Sequence, residues 1–222
     1  MIEIEFDEEI RRAAPGLRVI VLEANVRNSH TPDEFWNLLG DLAADIRSRY
    51  ALGMVNRRPA IAATRAAYKA LGKEPNRYRP SAEALCRRAV KGMELYRITS
   101  LVDIINYISM YTGYSIGGFD ADRVEGKVLR LGRGQAGEPF EGIGRGMLNI
   151  EGLPVYRDSA GGIGTPTSDN ERTKISEDTR RLLMIVNMYA TETPEDETIE
   201  LSTRLLHTFA DASNITVRTF TP

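Results

Sequence analysis

Few side chains in this chain are suited to making or breaking bonds. Its only histidines are His30 and His207, and its one cysteine is Cys86. Isolated imidazoles without Cys/His spacing make no zinc site. No nucleophile elbow is present. Cys86 lies among helix formers and far in sequence from either histidine, so it reads as a small core residue. Gly142-x-Gly144-x-Gly146 lacks the GxGxxG spacing, has no helix after it and carries no Lys-Ser/Thr. A dinucleotide or nucleoside triphosphate site is therefore not expected, and neither is a cofactor or a metal. The polar run Thr167 to Thr173 follows a glycine-rich close-approach loop, Gly161 to Gly164. Either Asp169 and Arg172 pair with each other, or they line a polar pocket with the glycine backbone amides.

Charge is the stronger signal. The chain is nearly neutral, at −2, yet Arg57 to Lys91 holds ten Lys/Arg against two Asp/Glu. The rest is correspondingly acidic. One basic segment on a near-neutral protein suits a polyanionic partner at one face. The same charges also suit ordinary solvated helix faces. Arg77 and Arg79 fall on a connector between two helices, whereas Arg87 and Arg88 fall within the second. Loops on a rigid scaffold are where binding residues concentrate. Tyr78, between two arginines, suits a nucleic-acid backbone and an exposed base, or a core or hinge position.

The elements that must position these residues follow from periodicity. IEIEF (residues 2–6) and LRVIVLEANV (residues 17–26) read as strands. Thr31-Pro32-Asp33-Glu34 reads as a capped helix start. Pro59 to Leu71 is a helix ended by Gly72, and Ser81 to Val90 another ended by Gly92. Ser100 caps a third, with Asp103 closing the box and Leu101, Ile104, Ile105, Ile108 and Tyr111 along one face. Gly113 stands where a left-handed residue ends a helix. Gly117-Gly118 then lets the backbone pass close to another backbone or to a ligand. Strands follow around residues 128–131, 153–156, 182–190 and 215–220, with a helix after Thr193-Pro194-Glu195. Trp36 lies off its helix stripe and reads as a packing residue.

Helices cluster between Thr31 and Gly113, and strands lie early and late, so regular βαβ alternation is absent. The expectation is one compact α+β unit over 1–222, with an antiparallel or mixed sheet and helices mainly on one side. A hydrophobic fraction of 42% and a charged fraction of 27% are ordinary for a soluble protein. No apolar run approaches the roughly 18 residues of a membrane span. The acidic opening MIEIEFDEEI is no secretory signal. A cytoplasmic protein without a membrane partner is the default.

The stretch Thr99 to Asp122 also resembles part of a known module. Val102-Asp103, Asn106-Tyr107, Gly113 and Phe119-Asp120 are similar to the VD-x-x-NY and x-FD segment of the phenylalanyl-tRNA synthetase β-subunit editing domain, the B-three/B-four module. The likeness runs on through residues 122–126 and 128–131, and Ser176 to Thr179 resembles its acidic-threonine turn. Arg58 to Arg88 looks like the front half of free-standing proteins built from this module. About residues 15–220 fall inside the resemblance, most strongly 58–190.

The resemblance implies a tRNA partner and hydrolysis of a mischarged aminoacyl ester by a positioned water, with few titratable groups. A full synthetase needs more chain than 222 residues for an ATP-binding catalytic domain. Three functions remain open: a trans-acting deacylase, a tRNA-binding module without hydrolysis, or a small-molecule binder on the same scaffold. Candidate pocket residues are Asn106, Gly117, Gly118, Asp169, Thr173 and Ile185, expected to meet across one cleft. Arg77, Arg79, Arg87 and Arg88 are the expected tRNA contacts. Gly117 stands where the synthetase usually has histidine, and Ile185 near its hydroxyl-reading glutamate. An apolar wall there implies that an esterified tyrosine is not the preferred substrate.

Overall fold

The computed structural model describes residues 1–222. In chain order the strands and helices begin β1 (Glu3–Phe6), α1 (Glu8–Ala13), β2 (Arg18–Asn25), α2 (Asp33–Arg49), α3 (Pro59–Ala70), α4 (Ser81–Val90) and α5 (Ser100–Thr112). Next come β3 (Ser115–Asp120), β4 (Val128–Arg133), β5 (Glu141–Gly142), β6 (Gly146–Met147), β7 (Pro154–Asp158) and β8 (Gly161–Gly164). The chain closes with β9 (Arg181–Met188), α6 (Glu195–Ala210) and β10 (Ser213–Phe220).

Two four-stranded sheets carry the fold. One is antiparallel throughout, in the order β10-β2-β9-β3. The other is mixed, β1-β4-β7-β8, because β1 runs parallel to β4. The antiparallel sheet is buried on both faces, and the period-two geometry of its strands divides the side chains between two cores. Val19, Val21, Leu183, Ile185 and Phe119 point toward Ile4, Leu129, Leu131, Tyr156 and Ile163 of the mixed sheet. Ile20, Leu22, Met184 and Val186 point the other way, to Phe35 of α2, Leu101, Ile104 and Ile108 of α5, and Leu201 and Leu205 of α6. That double burial is why β2 and β9 read as nearly unbroken apolar runs. The result is sheet on sheet with the larger helices on one outer face, the α+β architecture expected from the sequence. The short α1 is the exception and packs beside β4.

The helix ends follow the glycines closely. Gly72, Gly92 and Gly113 all adopt positive φ after α3, α4 and α5. The N-termini differ from the sequence expectation. Pro32, not Thr31, caps α2, and the Thr31 hydroxyl donates instead to the Asp103 carboxylate. Thr99, not Ser100, is the cap residue of α5. Asn28 does the satisfying there: its Oδ1 accepts from Ser100 Oγ and from the Leu101 amide, each at 3.2 Å. A residue more than 70 positions away supplies the acceptor that local reading gave to Ser100 and Asp103. Asp103 is buried, and burial raises its pKa against the hydrogen bonds from Thr31 and Ile98.

The family-like segments of the sequence also meet in space. Asp120 accepts from the Thr179 hydroxyl at 3.0 Å and from the Asp122 amide at 3.1 Å. The turn after β3 and the turn before β9 are thereby latched together. Gly161 to Gly164 is strand β8 rather than a loop, paired with β7. A Cβ on Gly164 would stand 2.6 Å from Phe119 Cζ, so the missing side chain makes room for a core ring.

Candidate functional site

The basic segment is held in shape from beneath by buried charges. Arg65 of α3 donates to Glu83 of α4 at 2.8 Å, to Asn76 Oδ1 at 2.6 Å and to the Pro75 carbonyl at 3.3 Å. Lys73 is buried too, and its ammonium donates to the Asn149 and Glu151 carbonyls at 2.9 and 2.7 Å. Burial lowers its pKa, against the attraction of Glu151. The connector from α3 to α4 is therefore pinned at both helices and to the segment after β6. Ser81 at the start of α4 donates its amide to the Pro166 carbonyl at 2.8 Å, and Tyr68 and Thr167 share a hydrogen bond at 2.9 Å. These ties bring the loop after β8 alongside α4.

Two adjoining cavities open above this scaffold, of about 310 and 470 Å³. They share Arg79, Ala84, Arg145 and Thr167, and so form one groove. Arg77 lines the smaller part; Arg87, Arg88 and Lys91 line the larger, together with Asn106 from α5. Six cationic side chains thus face the groove, and no Asp or Glu lines either part. Glu83 lies below it, almost fully buried, within 3.7 Å of Arg87 and 4.0 Å of Arg79. Arg88 is held by its Nε on the Glu94 carbonyl. Arg77, Lys91 and Arg145 take part in no ion pair within the protein.

All four arginines singled out from the sequence line this groove, and so does Asn106. Arg145 was not singled out. It sits at the tip of the β5–β6 hairpin between Gly144 and Gly146, both at positive φ. The glycine spacing marked a tight turn, but nothing local says that the turn faces α4. Tyr78 is half-buried against Tyr68, Phe140 and Leu153, with the Lys73 ammonium 3.7 Å over its ring. That is the packing alternative for this residue, although its ring also borders the smaller part of the groove. Arg58, also in the basic segment, is structural: it is buried and bonds Glu192, the Met110 and Tyr111 carbonyls and Cys86.

The remaining pocket candidates gather elsewhere, between the sheets. Gly118 donates its amide to Asp169 Oδ2 at 3.2 Å, so the β3 strand and the loop after β8 do meet. Their glycines face the protein's own side chains. A Cβ on Gly117 would lie 2.7 Å from the Phe119 ring, and one on Gly118 2.4 Å from Ile105. Ile185 pairs with Gly117 across the sheet and is wholly buried in the core between the sheets. Thr173 is wholly buried and its hydroxyl has no hydrogen-bond partner. Asn106 is not with them but in the groove.

Asp169 is the titratable member of this inner cluster. It does not pair with Arg172, which instead binds Asp158 at 2.7 and 2.9 Å. Arg172 takes the Asp158 carboxylate, which it holds below the ordinary range with the Glu125 and Ala160 amides, against the opposing effect of burial. Asp169 is left with one donor, Gly118, and burial pushes it up to about 7. Its Oδ1 accepts no hydrogen bond and lies close to Gly117 and Gly164. A carboxyl near 7 can exchange a proton at neutral pH.

Other concavities offer less. One of about 290 Å³ beside Tyr50 is lined by charges that satisfy each other: Arg58 with Glu192, Arg49 with Asp45, and Tyr111 with Glu197. No three His, Cys, Asp or Glu side chains converge as a metal site requires. No helix is long and apolar enough to cross a membrane.

The fold and groove define an α+β protein with a cation-lined surface cleft set on a two-sheet scaffold. The B3/4 domain family matches residues 63–221, and the chain belongs to that family. The match takes in α4, the hairpin carrying Arg145 and both sheets except β1 and β2. Among solved structures, an N-terminal fragment of the phenylalanyl-tRNA synthetase β-subunit from Pyrococcus horikoshii is similar, with 13% identity and a TM-score of 0.48. That likeness covers 98% of this chain and 50% of the synthetase fragment, so the chain spans about half the length of that fragment. No curated protein matches the chain.

Proposed function

We propose that this protein is a tRNA-binding module that takes the RNA backbone along the groove between α4 and the β5–β6 hairpin. The observation that carries the reading is the convergence of six cations from three separate chain segments on a cleft without a carboxylate. Scattered solvated charges would come with acidic neighbours, as they do beside Tyr50. The resemblance of residues 102–120 and 176–179 to the synthetase editing module supports tRNA as the polyanion. On this reading 1–222 acts as one unit, because the connector, the hairpin and the loop after β8 all build the groove.

Hydrolysis of a mischarged aminoacyl ester on the bound tRNA is a second reading, favoured by Asp169. A carboxyl at about 7 with a free oxygen, ten residues from Thr179 and two from Thr167, is the group able to take a proton from an attacking water. The Phe119 and Ile105 side chains stand where the ester would have to enter. Entry requires those side chains to give way.

Binding to bulk tRNA tests the first reading. Log affinity should fall linearly with log salt, with a slope of about −3 if roughly four phosphates are neutralised. Affinity that ignores salt, or no binding at low salt, rejects it. Release of amino acid from a panel of correctly and wrongly charged tRNAs tests the second, with Asp169→Asn as the control.

A further inference from the structure

The aromatic best placed to receive a base is not the one flanked by arginines. Tyr96 lies in the irregular segment between α4 and α5 and lines the larger part of the groove. It is 68% exposed. The Arg88 guanidinium sits 4.1 Å from its ring centroid, and Arg88 is itself tied to the Glu94 carbonyl one turn of chain away. The ring is therefore braced by a cation–π contact yet keeps most of its surface open. Met93, 48% exposed, lines the same cavity. Tyr78 also borders the smaller part of the groove, but its ring is packed against a hydrophobic cluster with Lys73 over its face.

We propose that Tyr96 is a stacking platform for an unpaired base, so that the groove takes a single-stranded RNA end rather than a continuous duplex. This deepens the tRNA-binding reading and rests on it. An exposed tyrosine ring at the edge of a cationic cleft combines the two features that hold single strands: charge for the backbone and a π-face for each base. Duplex RNA offers its base edges poorly, and recognition of unstacked bases on aromatic rings is the usual route to an RNA end. The cavity, about 470 Å³, lies in the range that encloses a small ligand and admits a splayed nucleotide, not a helical stem. Arg88 serves both needs at once. It holds the ring from one side and keeps positive charge beside the phosphate that follows the base.

Two hairpins with the same stem test this, one with a short unpaired 3′ end and one blunt, followed by fluorescence anisotropy. Tyr96→Ala should weaken the hairpin with the unpaired end about tenfold and leave the blunt one nearly unchanged, whereas Tyr96→Phe should keep both. A 2-aminopurine in the unpaired end should be quenched on binding to the native protein and to Tyr96→Phe, and not by Tyr96→Ala. Equal affinity of Tyr96→Ala and native protein for the unpaired end overturns the stacking role. So does an equal loss on both hairpins. The double charge reversal Arg77→Glu/Arg145→Glu, at two arginines without an ion pair, reports on the groove separately: its failure to weaken either hairpin, or native protein that binds neither, overturns the groove reading and the stacking role with it. Tyr96 is largely in solvent, so its substitution does not endanger folding.

Discussion

Thr167 and Asp169 stand two residues apart on the loop after β8, and their surroundings are opposite. Thr167 opens onto the arginine groove, where cations outnumber their partners and the charge is left for a ligand. Asp169 turns toward Gly117 and Gly164, where a half-buried carboxyl is left with one amide beside the Phe119 ring. On the proposed reading the groove recognises through long-range charge and needs only to be open. The inner cluster could exchange a proton, but its glycines serve packing. One loop thus serves two surroundings with different tolerance to mutation. The groove positions without an ion pair, Arg77, Lys91 and Arg145, can change sign without touching the core. Inner positions cannot change size without straining it.

The largest expected effect breaks the support beneath the groove. Glu83→Ala strands buried Arg65 and removes the shared partner of Arg79 and Arg87, and should cost about 3–5 kcal/mol by chemical denaturation. A loss below about 1 kcal/mol would mean that the arginines stand without it. Next, Gly164→Ala should cost about 1–3 kcal/mol, because the new methyl overlaps the Phe119 ring and the Asp169 carboxyl. Its tRNA affinity should stay native, which sharpens the separation of the two regions. Coupled loss of stability and affinity would join them.

The pH dependence of stability isolates Asp169. Its folded-state pKa of about 7 lies above its ordinary 3.8, so the folded protein holds this proton longer than the unfolded chain does. Stability from this group is full below the lower value and falls as pH rises between the two, by at most about 1.4 kcal/mol per pH unit. Asp169→Asn should remove that slope in the denaturation curves. An unchanged slope would show that the carboxyl is solvated after all. The smallest effect is expected at Thr173, whose buried hydroxyl has no partner. Thr173→Val should be neutral or stabilise by under about 1 kcal/mol. If it abolishes ester hydrolysis while leaving stability alone, the hydroxyl belongs to the chemistry.

Much of the architecture was legible because its signals are local. The glycines at 72, 92 and 113 ended helices where their positive φ was wanted, and the apolar runs of β2 and β9 were strands. The arginines were legible as a group because helix and connector positions follow from the same punctuation. What was not legible depends on distant partners. Asn28, not Ser100, satisfies the start of α5, and Asp158, not Asp169, receives Arg172. Gly117 and Gly164 announced a close approach, but only the fold shows that the approaching group is Phe119. Arg145 joins the groove through a hairpin with no charge pattern of its own, and Tyr96 lies in a stretch with no periodicity to place it. Of the pocket candidates, Asn106 is separated from the glycines because helix α5 presents it to the groove, beside α4 and Thr167, rather than to the β3 strand.

On the tRNA-binding reading the groove, and not the inner cluster, holds the RNA backbone. Titration of bulk tRNA over a range of salt, with native protein, Arg77→Glu/Arg145→Glu and Gly164→Ala, separates the two regions. The double reversal should lose most of the affinity, flatten the salt slope by about two and keep a native melting temperature. Gly164→Ala should melt earlier and bind with the native slope. Native affinity and slope in the double reversal, or loss of both in Gly164→Ala at a temperature where it remains folded, would contradict it.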